Sequence, residues 1–186
     1  FSDNQPILWW SPDPRTLLFP ERLHVSRSLR KSLRRQTCHV TFDTAFEEVI
    51  RHCAVTPRTG QDGTWITNEM LHAYCELHRQ GHAHSVEVWH GDELAGGLYG
   101  VAIGAAFYGE SMFSHRRDAS KIALVKLVDK LAAAGFLFID CQVVTDHLLS
   151  LGAETVDRTA FLRINRQAVG TAVRIDWKQT GETNPQ

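Results

Sequence analysis

The chain has 186 residues, 43% of them hydrophobic and 22% charged, with a formal net charge of -1. That suits one globular domain with a real core and excludes a disordered or globally basic chain, so any affinity for a polyanion has to be local. No apolar run approaches the ~18 residues of a membrane span, no charged-then-apolar leader is visible, and the four cysteines show no C-x-x-C spacing, so a cytoplasmic protein with reduced thiols and no membrane contact is expected.

Residues 1–20, "FSDNQPILWWSPDPRTLLFP", carry prolines at 6, 12, 14 and 20 and read as an extended, turning segment left from a longer N-terminal region. The domain proper is expected over 21–180, and residues 181–186 as a flexible tail. Ser26 is placed to cap a helix over 27–35, "HVTFD" reads as a strand, and Thr44 is placed to cap a helix through Cys53. Thr67 caps the next helix, which runs to Gln80 and stops at Gly81. From Ser85 the period changes to two: "SVEVWH", a Gly91-Asp92 turn, "ELAGGLYGVAIG" and "AAFYGESMFS" predict an antiparallel meander. A helix over 119–134 follows, with Leu124, Leu127, Val128 and Leu131 forming an apolar stripe and Gly135 closing it. "FLFIDCQVV" (136–144) then reads as a buried central strand, and "DHLLSLGAE" as a short helix with a glycine stop.

Two polar residues interrupt that central strand. Side chains alternate along a strand, so Asp140 and Gln142 point to one face while Ile139 and Cys141 point to the other. Unpaired burial of the amide alone costs roughly 2–7 kcal/mol, so internal partners, water or a substrate must satisfy the pair. Glu110, at the end of an apolar strand, reads by default as a surface charge; an adjacent strand that brought it near Asp140 would instead place two carboxylates in one cleft, which attract a cationic substrate. The one local charge anomaly is Arg27, Arg30, Lys31, Arg34 and Arg35, most of which share a helix face opposite Leu29 and Leu33: a solvated surface or a phosphate-backbone track. "HRQGHAH" spans a helix stop without carboxylate or thiol ligands, which argues against a metal site. "GGLYG" has no helix opening after it, so close packing explains it better than a dinucleotide loop. Cys141 with His147 reads as a buried inert thiol rather than a nucleophile.

The order meander, helix, strand, short helix is similar to the acetyltransferase-like (GCN5-related) core, an α+β fold with a mixed sheet. An acetyl-CoA enzyme of that fold needs a glycine-rich loop before its long helix, and here that place reads "SHRRDASK". The ordered motifs "PILWWSPDPR", "GTWIT", "GHAHSVEVW", "GGLYGVA", "GESMFS", "ASK" and "IDCQ" closely resemble the bacterial leucyl/phenylalanyl-tRNA protein transferases, over about residues 5–152. That resemblance implies transfer of Leu or Phe (Met as a further donor) from aminoacyl-tRNA to proteins with N-terminal Arg or Lys, marking them for degradation, with no cofactor. It implies Trp65, Leu98, Met112, Leu127 and Leu131 as the amino-acid pocket, Asp140 and Gln142 as the catalytic pair, and Glu110 as the acceptor carboxylate. The basic residues Arg27, Arg30, Lys31, Arg34 and Arg35 then bind tRNA, and the protein acts as a monomer. A CoA-dependent N-acetyltransferase of the same fold and a non-catalytic RNA-binding module are the competing readings.

Overall fold

The computed structural model describes residues 10–35, 38–57 and 64–178. Pro6 and the tail from Gly181 lie outside the described residues. The strands are β1 (Arg15–Leu18), β2 (His39–Phe42), β3 (Ala83–His90), β4 (Glu93–Ile103), β5 (Ala106–Ser114), β6 (Phe138–Gln142) and β7 (Glu154–Val156). The helices are α1 (Arg27–Arg34), α2 (Phe46–Val55), α3 (Asn68–Arg79), α4 (Ala119–Ala134), α5 (Asp146–Ser150) and α6 (Arg158–Val169). The strands form one sheet in the order β2-β3-β4-β5-β6-β1-β7, antiparallel except for the parallel pair β5 and β6. This is the expected α+β mixed sheet. Among the described residues, no helix is long and apolar enough to cross a membrane.

Adjacent residues of a strand face opposite ways, and Leu98 and Tyr99 enter different cores. On the Leu98 face, α4 packs the predicted stripe Leu124, Leu127, Val128 and Leu131, joined by Leu29 of α1. Each such side chain contributes roughly 1.5–3 kcal/mol when fully buried. On the Tyr99 face, α2 and α3 bring Phe46, Val49, Ile50 and Leu71. Phe161 of α6 closes a third cluster with Leu17 and Phe138. The glycines of "GGLYG" mark close approach: a Cβ on Gly96 would lie 2.6 Å from the Cβ of Ala119, so glycine lets the start of α4 settle onto β4.

Ser26 and Thr67 cap α1 and α3 through Leu29 N (3.2 Å) and Met70 N (3.3 Å). Gly81 and Gly135 end their helices in the left-handed region, at φ 78° and 81°. Thr44 does not cap α2. Its hydroxyl is taken instead by Glu87, which is fully buried in β3 and also draws Thr41 Oγ1 (2.7 Å), because a buried carboxylate has a stronger claim on a donor than a helix end near solvent. The central strand stops at Gln142 rather than Val144, and Val143 and Val144 are exposed. Residues 15–18 are a strand between β6 and β7, so the expected boundary at residue 20 falls within the sheet's own chain. β7, α6 and the short 3-10 helix over Pro20–Arg22 went unpredicted. A signal for α6 stood in the sequence: Asp157 caps it through Ala160 N (2.8 Å), and Phe161 and Ala168 fall on its buried side.

Candidate active site

The site begins with a split in the sheet. β5 and β6 pair only over Ala106↔Phe138, Phe107↔Ile139 and Tyr108↔Asp140, while β5 runs on to Ser114 beside β4. Between β4 and β5 the register passes from Gly100↔Gly109 to Tyr99↔Ser111, which leaves Glu110 as the extra residue of a β-bulge. A bulge interrupts alternation and re-aims a side chain. Glu110 thereby reaches across the split, accepting hydrogen bonds from Tyr74 of α3 and from Gln142. Burial raises its pKa most, and the nearby Asp140 charge adds to that, against the two hydrogen bonds and Arg15. The Tyr74 hydroxyl is also pushed up, chiefly by burial and then by Glu110.

Asp140 is wholly buried and its carboxylate is fully engaged. Arg15 Nε donates to both oxygens (3.0 and 3.1 Å), Arg15 Nη2 donates to Oδ2 (2.8 Å), and the backbone N–H of Gln142 donates to Oδ1 (2.9 Å). The Arg15 guanidinium lies 5.0 Å from the Phe161 ring centroid. Gln142 has φ 66°, so the last residue of β6 leaves the alternating pattern and folds its N–H back toward Asp140. Its Nε2 donates to the Gly109 carbonyl (3.1 Å), where the β5–β6 ladder has ended. With Nε2 held there, the amide oxygen is the group left to accept.

Beside Glu110 lies a cavity of about 400 Å³, lined by Leu98, Met112, Leu124, Leu127, Ile139 and Leu148, with Gly109, Glu110, Ser111, Thr145 and His147 among its polar members. Ile139 and Cys141 line it, and Asp140 lies on the other sheet face. Of the five residues expected in an amino-acid pocket, Leu98, Met112 and Leu127 line this cavity. Leu131 is fully buried one turn further along α4, and Trp65 packs edge-on against Tyr74 at 6.3 Å, behind the ring that holds Glu110. Arg15, Tyr74 and His147 were missed as site residues. The paired glycines Gly100 and Gly109 were the one sequence signal for the bulge. The Cys141 thiol is pushed up to about 12, first by burial and then by the Asp140 charge, which makes it a poor nucleophile.

Elsewhere, Arg27, Arg30, Lys31, Arg34 and Arg35 are all exposed on and just after α1 and ring one open crevice, while Leu29 anchors the helix from beneath. Ser32 Oγ ties α1 to Asp118 at the start of α4 (2.8 Å). Two of the three histidines of "HRQGHAH" serve structure: His84 is buried against Asp43 (2.7 Å) and stacks on Trp177, and His78 meets the Ala83 carbonyl (2.8 Å). None of the four cysteines is in a disulfide.

An apolar cavity with one carboxylate on its wall, and a half-buried amide and a second, buried carboxylate on the adjoining strand, is the layout of an enzyme site, and similarity makes the chain a transferase. Residues 17–166 match the family model described as Leucyl/phenylalanyl-tRNA protein transferase. Curated relatives named leucyl/phenylalanyl-tRNA protein transferase include one from Chromobacterium violaceum, 59% identical over 169 residues (91% of this chain, 72% of the relative). Another, from Pseudomonas fluorescens, is 62% identical over 161 residues (87% and 71%), and one from Anaeromyxobacter sp. is 54% identical over 186 residues (100% and 80%). The chain belongs to the leucyl/phenylalanyl-tRNA protein transferase family. A solved GCN5-related N-acetyltransferase from Kribbella flavida is similar at 10% identity and a TM-score of 0.45, over 77% of this chain and 54% of that one.

Proposed function

We propose that the protein moves Leu or Phe from aminoacyl-tRNA to the N-terminal Arg or Lys of an acceptor protein, and that the cavity between the diverging strands β5 and β6 is where the two substrates meet. The observation that carries this reading is the approximately 400 Å³ apolar cavity with Glu110 on its wall, hydrogen-bonded to Gln142. Leu98, Met112 and Leu127 take the apolar side chain of the donor, and Glu110 faces the cationic N-terminal residue of the acceptor. The basic face of α1 follows the tRNA backbone through phosphate contacts.

The chemistry asks little of the protein beyond placement. The acceptor α-amine, with a reference pKa of ~7.7–8.0, attacks the ester carbonyl carbon; the carbon–oxygen bond to the ribose breaks, and a proton passes from the amine to the departing ribose oxygen. The Gln142 amide oxygen, oriented by the Nε2 bond to the Gly109 carbonyl, accepts a hydrogen bond from that amine. An amide is too weak a base to take the proton, so its role is orientation. Asp140 acts one step back: bound by Arg15, it fixes the Gln142 backbone and so the amide.

Mixing the protein with Leu- or Phe-charged tRNA and an Arg-initiated peptide tests this reading, with acetyl-CoA as the alternative donor. The expected product is the peptide extended by one residue. Acetylated peptide would reassign the enzyme, and tRNA binding without transfer would leave an RNA-binding module.

A further inference from the structure

Lys121 stands in the first turn of α4, half-buried, and among the described residues it makes no hydrogen bond or ion pair. The nearest carboxylate in sequence, Asp118, is engaged elsewhere: its Oδ2 accepts from Ser32 Oγ of α1 (2.8 Å) and lies 3.7 Å from Arg117 Nε. That Ser32 contact joins the start of α4 to the helix whose cations ring the basic crevice. One turn beyond Lys121, the same α4 lines the cavity with Leu124 and then Leu127. The first turn of α4 therefore links the basic face to the cavity, and Lys121 is the cation it carries. Its charge is felt at the α5 end of the cavity, where it adds to burial in lowering the pKa of the lining residue His147.

Resting on the function proposed above, we infer that Lys121 is a positioning residue for the donor, its ammonium group binding the phosphate on the 5′ side of the terminal, aminoacylated nucleoside. Two parts of the cavity wall are already assigned, Leu98, Met112 and Leu127 to the amino-acid side chain and Glu110 to the acceptor. The nucleoside then leaves past the remaining polar stretch, Thr145 and His147 at the start of α5, which is the stretch within reach of the Lys121 charge. Counted outward from the ester, that phosphate is the first ionised group of the nucleic acid, one ribose away. A tetrahedral anion at a cavity mouth suits a point charge on a flexible four-carbon stem, which needs no fixed approach angle. Beyond it the strand continues toward the α1 crevice, so one line of cations runs from the body of the tRNA to the reacting carbon.

The test compares two non-hydrolysable probes, amide-linked phenylalanyl adenosine and its 5′-monophosphate, binding to the intact protein and to its Lys121→Met and Lys121→Arg variants, with thermal stability measured alongside. At low salt the unaltered protein should favour the phosphorylated probe by about fivefold, the upper range for a partly exposed ion pair, and the preference should shrink as salt rises. Lys121→Met keeps most of the stem's packing, so it should bind both probes equally and hold the unphosphorylated one as tightly as before. Lys121→Arg should retain the preference. Lys121→Gln serves the same comparison if the methionine protein is unstable. A lysine that merely supports the fold would weaken both probes alike when replaced, and that outcome in a folded neutral variant overturns the inference. So does an undiminished phosphate preference in such a variant, or equal binding of the two probes by the unaltered protein; either leaves the donor reading standing. Failure of both probes to bind removes the donor reading, and the inference with it.

Discussion

Removing the Arg15 side chain should expose how strongly Asp140 depends on it. Asp140 is 0% exposed and Arg15 is 11% exposed, and three of the four hydrogen bonds to the carboxylate come from the guanidinium. Arg15→Met leaves a buried carboxylate with a single backbone donor, and breaking a buried pair from one side costs about 3–5 kcal/mol. For a chain of this size that is a fall in Tm of roughly 6–20 °C. Asp140→Leu should cost a similar amount by stranding the guanidinium. The double variant Arg15→Met/Asp140→Leu removes both charges, and its remaining penalty is the orphaned Gln142 N–H, about 1–3 kcal/mol. Independent effects would sum to roughly 6–10 kcal/mol, so a double-mutant cycle separates the two cases. Urea unfolding at fixed pH reads it from the midpoints, provided the slope m is unchanged. In the same double variant, single-turnover transfer should remain slow by about 10²-fold or more, since Gln142 has lost its anchor. Additive stability losses would show that the Asp140 charge is balanced elsewhere, and full activity in the double variant would refute the positioning role of the pair.

Glu110 gives a pH prediction. Its folded-state pKa is raised, chiefly by burial, so the folded protein binds this proton more tightly than the unfolded chain does; stability from this group is present below the unfolded value of ~4.3 and lost as pH rises through the folded value. Glu110→Gln should therefore raise Tm near pH 7 with no gain below about pH 4, while KM for Arg-initiated peptides rises. Scanning calorimetry and peptide titrations check both, and a lower Tm at neutral pH would contradict it. Replacing Arg27, Lys31 and Arg34 together should weaken tRNA binding and reduce the slope of log K against log salt by about 0.9 per lost contact. An unchanged slope would remove α1 from the interface. Leu127→Ala should cost about 2–5 kcal/mol in stability and move donor preference from Leu toward Phe, read by competition between the two charged tRNAs; a shift toward smaller donors would contradict its place in the cavity wall.

Most of the helices, the meander and the buried stripe of α4 were legible in the sequence because they rest on local rules: a capping Ser26 or Thr67, a left-handed Gly81 or Gly135, and apolar spacing of 2 or 3.6. Local order also singled out Asp140, Gln142 and Glu110, as polar residues in apolar strands, and the basic face of α1. What it left out came from pairing between distant segments. Thr44 lost its cap to a carboxylate 43 residues away, and β1 entered the sheet beside β6 across 125 residues, bringing Arg15 to Asp140. Alternation placed Asp140 and Gln142 side by side, yet a left-handed Gln142 and a bulge at Glu110 decided that amide and carboxylate meet across the split. Periodicity describes a residue's own strand; which neighbour ends its ladder early, and which buried charge claims a donor, depends on energies that exist only once the sheet has closed.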